Sequence, residues 1–240
     1  MMKRRLCALG IVLSLAVPAA VGAQESDKAE RIAALKERIE TLRQNVLRAE
    51  AVSDVKRLQR AFGYYIDRGY WHEAADLFAE DASLEVGGDG IYIGKARILE
   101  RLIAEGGGNP GPGLPYGQLY HHMQLQPVIH IGPDGRTAKG RWREFALLGQ
   151  FQEWAAWGDG IYENEYVKEN GVWKIQTMHL YPNFKAPYQE GWESLAPVDG
   201  DWSSETAEKL PPDAPPSVEY KPFPNVFVPP FHYDNPVTGE

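Results

Sequence analysis

The hydrophobic pattern around residues 58–86 predicts two helices followed by a strand. Apolar residues recur at steps of three and four, the spacing of a helix with one buried face, at Leu58, Ala61, Phe62, Tyr65 and Ile66. Gly69 ends this helix, Trp71 starts a second one that runs to about Phe78, and residues 83–86 turn extended. Asp67 is then a helix-end carboxyl beside aromatic residues, where burial would raise its pKa and suit it to proton transfer. The alternative is a solvated carboxylate.

A seam of apolar residues predicts a long N-terminal helix over residues 24–52. The seam consists of Ile32, Leu35, Ile39, Leu42, Val46 and Ala49. Because it covers only about three heptads, a free-standing coiled coil would be marginal. We expect this helix to pack on the protein's own body or on a neighbouring subunit.

The pattern after residue 86 changes to short strands, turns and one further helix. Residues 91–93 form a strand, Lys95 begins a helix that ends near Ala104, and residues 106–115 form a loop rich in glycine and proline. A loop at that place is suited to act as a lid.

Four longer strands follow, separated by turn signals. They span residues 119–131, 137–152, 161–167 and 172–181, with turns expected at 132–135, 157–160 and 168–171. Asp-Gly and Asn-Gly between alternating runs are strong hairpin signals. Helices followed by an antiparallel meander predict an α+β domain over residues 53–184, with the sheet wrapped on the helices.

The chain ends in a segment of different composition, residues 185–240, which is rich in proline and in aromatic residues. The prolines exclude a sheet core, and the aromatic residues are too many for a disordered tail. The segment is predicted to be an extended arm that lies over the domain or over a neighbour; the alternative is a loose linker.

The N-terminus has the features of a cleaved signal peptide over residues 1–23. A basic stretch precedes an apolar run at 6–20 and small residues at 21–23. The run is shorter than the roughly 20 residues that cross a bilayer, so we expect a periplasmic or secreted protein without a membrane anchor. The one cysteine, Cys7, would leave with this segment, which excludes a disulfide framework.

The net charge argues against nucleic-acid binding. The chain has 25 Lys and Arg against 33 Asp and Glu, a formal charge of −8. Removal of Lys3, Arg4 and Arg5 would make the balance more acidic still, and no basic stripe opposes the repulsion from a phosphate backbone.

Strand alternation places polar and aromatic side chains together, which is typical of a ligand pocket. The predicted shared faces carry His122, Gln124, Gln126 and Val128; Trp173, Ile175, Thr177, His179 and Tyr181; and Tyr162, Asn164 and Tyr166. Beside Trp142, either Arg141 or Arg143 could hold a phenolate or carboxylate, and alternation leaves open which of the two faces the pocket.

The order of these segments resembles the SnoaL-like branch of the nuclear transport factor 2-like superfamily. The resemblance rests on the helix pair with Asp67 before Trp71, the strand with His122-Met123, and the hairpin that ends in residues 170–175, NGVWKI. It implies a cone-shaped, curved antiparallel sheet closed by helices around a deep pocket. Members are often dimers or trimers, so a homo-oligomer is expected.

The scytalone dehydratases of this superfamily imply roles for three positions. Their catalytic Asp falls on Asp67 and their first pocket His on His122, but their second pocket His falls on Asn164. The two-histidine arrangement is therefore not intact. By this resemblance Asp67 and His122 are the candidate acid and base, with either order open. The candidate substrate-binding residues are Tyr65, Trp142, Arg143, Tyr162, Asn164, His179 and Tyr181.

The aromatic-rich frame, the HHMQLQP strand and the long arm are similar to the lignin-dimer γ-formaldehyde lyases. That resemblance implies a cofactor-independent lyase that protonates a benzylic oxygen of an aromatic dimer and releases formaldehyde to give a stilbene. A dehydratase or isomerase of the same fold, or a non-enzymatic binder of small molecules, remains an alternative. His121 and His122 point to opposite faces of a strand, and no zinc, phosphate-loop or GxSxG motif is present, so no metal or cofactor is predicted.

Overall fold

The computed structural model describes residues 18–197 and 204–240. Most of the predicted signal peptide, residues 1–17, lies outside the described residues. The chain divides into two compact units, residues 1–47 and residues 48–240. Among the described helices, none is long and apolar enough to cross a membrane.

In the first unit the described residues belong to a helix, α1 (Pro18–Ile66), that continues into the second unit. The predicted helix boundary at residue 52 is wrong: no proline interrupts residues 19–66, and Ala, Leu, Glu, Lys and Arg all favour a helix. The seam residues Ile32, Leu35, Ile39, Leu42 and Val46 are exposed.

The second unit begins where α1 acquires a buried face. Val55, Phe62 and Ile66 belong to one hydrophobic core with residues of α2 (Trp71–Asp76), α3 (Lys95–Glu105) and the sheet. Gly69 follows α1 with φ +71°, a left-handed conformation that glycine adopts without strain. The two predicted helices are thus present, although the second ends two residues early and Phe78 already belongs to a strand.

The sheet has six strands in the order β2-β1-β6-β5-β4-β3. They are β1 (Phe78–Val86), β2 (Ile91–Ile93), β3 (Gln118–Ile131), β4 (Thr137–Gln150), β5 (Trp154–Glu169) and β6 (Val172–Pro187). The predicted α+β class is confirmed. A wholly antiparallel sheet is not found, since β1 pairs in parallel with β6 and lies between β2 and β6.

The turn predicted at residues 157–160 is wrong. These residues lie inside β5, and the chain turns at residues 151–153, where Gln152 has φ +63°. A Cβ on Gly158 would lie 2.9 Å from the carbonyl oxygen of Phe184, and one on Gly160 would lie 2.9 Å from Cδ1 of Leu180. The two glycines therefore permit close packing within the sheet rather than a turn.

A bulge in β3 changes which residues share a face. The pairing with β4 shifts between Leu125 and Val128, and Gln126 has φ +49°. After the bulge Ile129 packs against the core, whereas the Gln126 amide accepts a hydrogen bond from Arg143 on the other face. The prediction that Gln126 and Val128 share the face of His122 is therefore wrong, because an extra residue reverses the alternation.

The C-terminal segment contacts the sheet on the face opposite the helices, which we call the outer face. Tyr220 and Phe227 pack on Tyr181, with ring centroids 5.9 and 5.6 Å away. The Arg141 guanidinium donates to the carbonyl of Pro229 at 3.1 Å. Within the segment, residues 192–194 form a short 3₁₀ helix and α4 spans Glu205–Lys209. The arm thus covers a sheet face, which gives its aromatic residues a place to pack.

Gly106, at the end of α3, offers a steric test of this packing. A Cβ there would lie 2.1 Å from Cζ2 of Trp71, while the glycine itself has φ −76°, which other residues adopt freely. We expect Gly106→Ala to destabilise the fold by about 1–3 kcal/mol through overpacking. Urea unfolding measures this, with Gly111→Ala as the control, since its nearest neighbour would be 3.4 Å away. Equal midpoints for the two variants would contradict the packing at Trp71.

Candidate functional site

The sheet face towards α1 carries a cluster of buried polar side chains, which we call the inner cluster. Its members are Gln59, Tyr120, His122, Gln124, Glu144, Tyr162, Asn164 and Tyr166. Strand register brings the members from different strands together: Gln124 is opposite Glu144, and Trp142 is opposite Tyr162. Alternation along each strand then keeps their side chains on one face.

His122 is the buried imidazole of this cluster. Its ring packs against the Tyr120 ring with centroids 4.2 Å apart, and its Nδ1 is buried without a hydrogen-bond partner among the described residues. Burial lowers the pKa of His122 to about 4, because desolvation penalises the charged form. The imidazole is therefore neutral at pH 7, with a nitrogen lone pair free to accept a proton.

Asp67 lies next to His122, but the contact is through the main chain. The backbone N–H of His122 donates to Asp67 Oδ1 at 2.7 Å. Burial raises the pKa of the half-buried Asp67 carboxyl, and this hydrogen bond opposes the rise. The carboxyl also borders a surface groove of about 390 Å³. Asp67 thus holds β3 against the end of α1 and positions His122.

Glu144 is a buried acid that the sequence analysis missed. It is 5% exposed, and its Oε1 accepts a hydrogen bond from the Tyr162 hydroxyl at 2.7 Å. Burial raises its pKa to about 7. A Cβ on Gly160 would lie 3.3 Å from Oε2, so the glycine leaves room for the carboxyl. Strand alternation puts Glu144 on the same face as Trp142, and this was the available signal in the sequence. The pairing of Glu144 with Gln124 depends on strand register, which the sequence does not show.

Three of the predicted binding residues belong to the inner face, and hydrogen bonds connect them. Trp142 Nε1 donates to the Tyr166 hydroxyl at 2.9 Å, and the Asn164 amide donates to Gln59 Oε1 at 3.1 Å. Gln59 in turn donates to Gln124 Oε1 at 2.8 Å. Tyr162, the third, holds Glu144. Asn164 also accepts from the backbone of His179, so this network fixes the side chains around the acid.

Three other predicted binding residues lie on the outer face, so their assignment to the same pocket is wrong. His179 and Tyr181 stack on each other with centroids 3.8 Å apart beneath the arm. Arg143 is paired with Asp159 at 2.9 Å. The physical reason is strand register. His179 is opposite Glu163, and the odd-numbered residues of this part of β5 point to the outer face, whereas the even-numbered ones point to the inner face.

The inner cluster also lacks Arg141, the alternative to Arg143, and Tyr65, the last of the seven predicted binding residues. Arg141 is paired with Glu163 at 3.0 Å on the outer face, so neither of the two arginines reaches the inner cluster. Tyr65 is a partly buried residue that packs against the hydrophobic core, and it takes no part in the hydrogen bonds of the inner cluster.

A cavity of about 510 Å³, which we call the mouth, opens at one end of the inner face. Tyr120, Glu105, Leu148, Trp154 and Lys185 contribute to its lining, and α4 of the arm forms one side. Burial alone would raise the pKa of Glu105, but its ion pair with Arg101 lowers it. Tyr120 lines the mouth and packs on His122, while His122 itself lines the groove that Asp67 borders.

The described part of the chain holds no group of three His, Cys, Asp or Glu side chains arranged to bind a metal ion. The chemistry that the inner cluster itself offers is proton transfer: a carboxyl that is half protonated near pH 7 and a neutral imidazole, both shielded from water.

The fold is similar to those of several solved structures. One such structure is described as a putative scytalone dehydratase from Novosphingobium aromaticivorans. The match covers 60% of this chain and 91% of that protein, with 19% identity and a TM-score of 0.52. A hexachlorocyclohexane dehydrochlorinase from Novosphingobium barchaimii is similar over 64% of this chain and 99% of its own, with 17% identity and a TM-score of 0.51. At such identities the likeness shows the fold. No curated protein matches the sequence.

The profile of the SnoaL-like domain matches residues 47–179, more than half of the chain. The match begins in the part of α1 that acquires a buried face and ends in β6, and it therefore contains α2, α3 and the residues of the inner cluster. The predicted resemblance is confirmed: the chain belongs to the SnoaL-like family, within the nuclear transport factor 2-like superfamily.

Proposed function

We propose that this protein is a cofactor-independent lyase that acts on an apolar aromatic substrate by acid–base catalysis. The observation that carries the proposal is the pairing of Glu144 with His122 on the inner face. Glu144 is opposite Gln124, so His122 is its diagonal neighbour across two strands, and such neighbours are roughly 7–8 Å apart. In the proposed mechanism both groups act on one substrate that binds against this face of the sheet.

The protonation states assign the roles. At neutral pH a fraction of Glu144 carries a proton and can act as the acid, with the Tyr162 hydroxyl bonded to its other oxygen. The imidazole of His122 is unprotonated and can act as the base. The roles of acid and base thus move from Asp67 and His122, as predicted from sequence, to Glu144 and His122, with Asp67 as a positioning residue.

The finer proposal is the deformylating cleavage of a lignin-derived aromatic dimer. For a 1,2-diarylpropane-1,3-diol, Glu144 protonates the benzylic hydroxyl, which leaves as water. His122 removes the proton of the terminal hydroxyl, the adjacent carbon–carbon bond breaks, and its electrons form the alkene. One diol gives one stilbene, one formaldehyde and one water. After the two proton transfers, the return of one proton from His122 to Glu144 restores the starting state of the enzyme.

The names of the structural neighbours support an elimination. A dehydratase removes water and a dehydrochlorinase removes hydrogen chloride, and both reactions require a base and a leaving group but no redox cofactor. A buried site adds to this, since exclusion of water strengthens the electrostatic interactions that stabilise developing charge.

Product analysis tests the proposal. We expect the protein to release formaldehyde and a stilbene from a diarylpropane-1,3-diol, measured by formaldehyde derivatisation and by stilbene absorbance. His122→Ala should lower the rate by about 10²–10⁴-fold, the usual contribution of a general base. His121→Ala is the matched control, because the side chains of adjacent strand residues point to opposite faces.

The alternatives give different results. Conversion of an aromatic alcohol to an alkene without formaldehyde would favour a dehydratase. Tight binding of aromatic compounds without any product, in the wild type and in His122→Ala alike, would favour a binding protein and contradict the lyase.

We also propose export to the periplasm and assembly into a homo-oligomer. Residues 1–23 support export by their signal-peptide pattern, and the exposed seam of α1 offers a surface for assembly. N-terminal sequencing of the exported protein should begin at Gln24, and sedimentation should give a dimer or trimer mass.

A further inference from the structure

A group of exposed apolar side chains surrounds the turn between β4 and β5. Trp154 is 51% exposed, Phe151 59% and Tyr116 89%. Leu119, at the start of β3, is exposed beside them. Exposed aromatic residues grouped in this way commonly mark a binding surface. We call this group the aromatic rim.

The rings of the aromatic rim are held in place by the backbone around them. The N–H of Phe151 donates to the carbonyl of Gly117 at 2.8 Å, and the Gln150 amide donates to the carbonyl of Tyr116 at 3.1 Å. The Tyr116 and Phe151 rings then meet edge to face with centroids 6.4 Å apart. A Cβ on Gly117 would lie 3.0 Å from Cβ of Phe151, so the two segments pack closely. Rings ordered before binding lose little entropy when a ligand stacks on them.

The aromatic rim is continuous with the mouth. Three of its members, Leu119, Phe151 and Trp154, line a groove of about 530 Å³. This groove shares Leu119, Leu148 and Trp154 with the mouth cavity. From Phe151 the groove leads past Trp154 into the mouth, and from there to Tyr120 at the edge of the inner cluster. A ligand that is longer than the inner site would extend out of it and contact these rings.

The lining of the groove selects an uncharged aromatic ligand. Its one ionisable side chain is Glu153, while Gln150, Gln152 and Gln189 supply amides that can donate to ether or hydroxyl oxygens. An anionic ligand would meet no cation in this lining, and a purely aliphatic one would leave the amides unpaired.

We propose that the aromatic rim is a second substrate subsite, which takes a further aryl ring of a substrate longer than two rings. The reaction of such a substrate rests on the proposed lyase function, but its binding does not. An elongated aryl ether would place its reacting carbons in the inner site and stack its terminal ring on Phe151 and Trp154.

Calorimetric titration with two unreactive ligands tests the subsite. The ligands are a 1,2-diarylpropane without hydroxyl groups and its homologue with a third aryl ether ring. The wild type should bind the three-ring ligand about tenfold more tightly, as expected for one good ring stack. In Phe151→Ala this preference should disappear. Val172→Ala is the control, since Val172 is exposed at the other end of the sheet, and it should keep the tenfold preference.

Two outcomes would overturn the proposal. One is equal affinity of the wild type for both ligands. The other is a change in sedimentation mass in Phe151→Ala, which would assign the aromatic rim to contact with a second copy of the chain. Failure of the lyase assay together with a retained tenfold preference would reject the reaction and leave the subsite standing.

Discussion

Replacement of Glu144 by Gln is expected to lower kcat/KM by about 10²–10⁴-fold, because an amide cannot transfer the proton that a general acid supplies. Glutamine has nearly the same shape, and its carbonyl oxygen can still accept the hydrogen bond from the Tyr162 hydroxyl. The loss should therefore come from chemistry and not from unfolding. Glu165→Gln is the matched control, because the Glu165 side chain is 51% exposed and lies outside both proposed sites.

The pH profile makes this prediction specific. With Glu144 as acid and His122 as base, kcat/KM of the wild type should rise through about pH 4 and fall through about pH 7. Residual activity of Glu144→Gln should lack the fall near pH 7. If the variant keeps both limbs of the profile, another group is the acid.

The pH dependence of the free energy of unfolding is an independent test of the raised pKa of Glu144. The folded protein keeps the Glu144 proton up to about pH 7, whereas the unfolded chain loses it near the ordinary glutamate pKa of 4.5. The folded state therefore binds more protons in this window, and stability falls as the pH rises from 4.5 through 7. The accumulated loss is on the order of 3 kcal/mol. Glu144→Gln should lack this decline and be the more stable protein at pH 8, as measured by urea unfolding.

Replacement of Arg101 by Met is expected to cost about 3–5 kcal/mol of stability, the usual result of removing one partner from a buried ion pair. Arg101 and Asp89 are bonded at 2.8 Å, and their side chains are 2% and 0% exposed. Asp89 also accepts from the backbone and hydroxyl of Ser204, so it connects the turn after β1, α3 and the arm. Without Arg101 its charge would be buried and uncompensated.

Two further variants distinguish the loss of the ion pair from a general destabilisation of α3 by substitution. Arg97→Met removes the arginine one turn earlier, whose side chain is 28% exposed and paired with Asp213, and it should cost less than about 1 kcal/mol. Adding Asp89→Asn to Arg101→Met should restore part of the lost stability. Urea midpoints measure all four proteins, and similar costs for Arg97→Met and Arg101→Met would refute the prediction.

Local patterns were sufficient for the elements and the fold class. The periodicity around Phe62 and Trp71 and the glycine at position 69 mark the two helices, since these signals act within a few residues of the chain. The same is true of the Asn-Gly turn before β6. Position 67 was also found from sequence, and it does lie beside His122.

Positions that depend on long-range pairing were assigned wrongly. Alternation alone grouped His179 with the pocket and Gln126 with His122, but register and a bulge decide which face is inner. Gly158 and Gly160 suggested a turn, whereas they permit close approach within the sheet, a contact that involves residues far along the chain.

By itself, then, the sequence determined the α+β class, the order of elements and the presence of His122 and Asp67 near the site, because propensity and periodicity are local properties. Only the tertiary structure decided that Glu144 is the buried acid, that the arginines and His179 lie under the arm, and that the mouth opens onto Trp154. Those results depend on register and burial, and burial is what moves the pKa of a carboxyl or an imidazole.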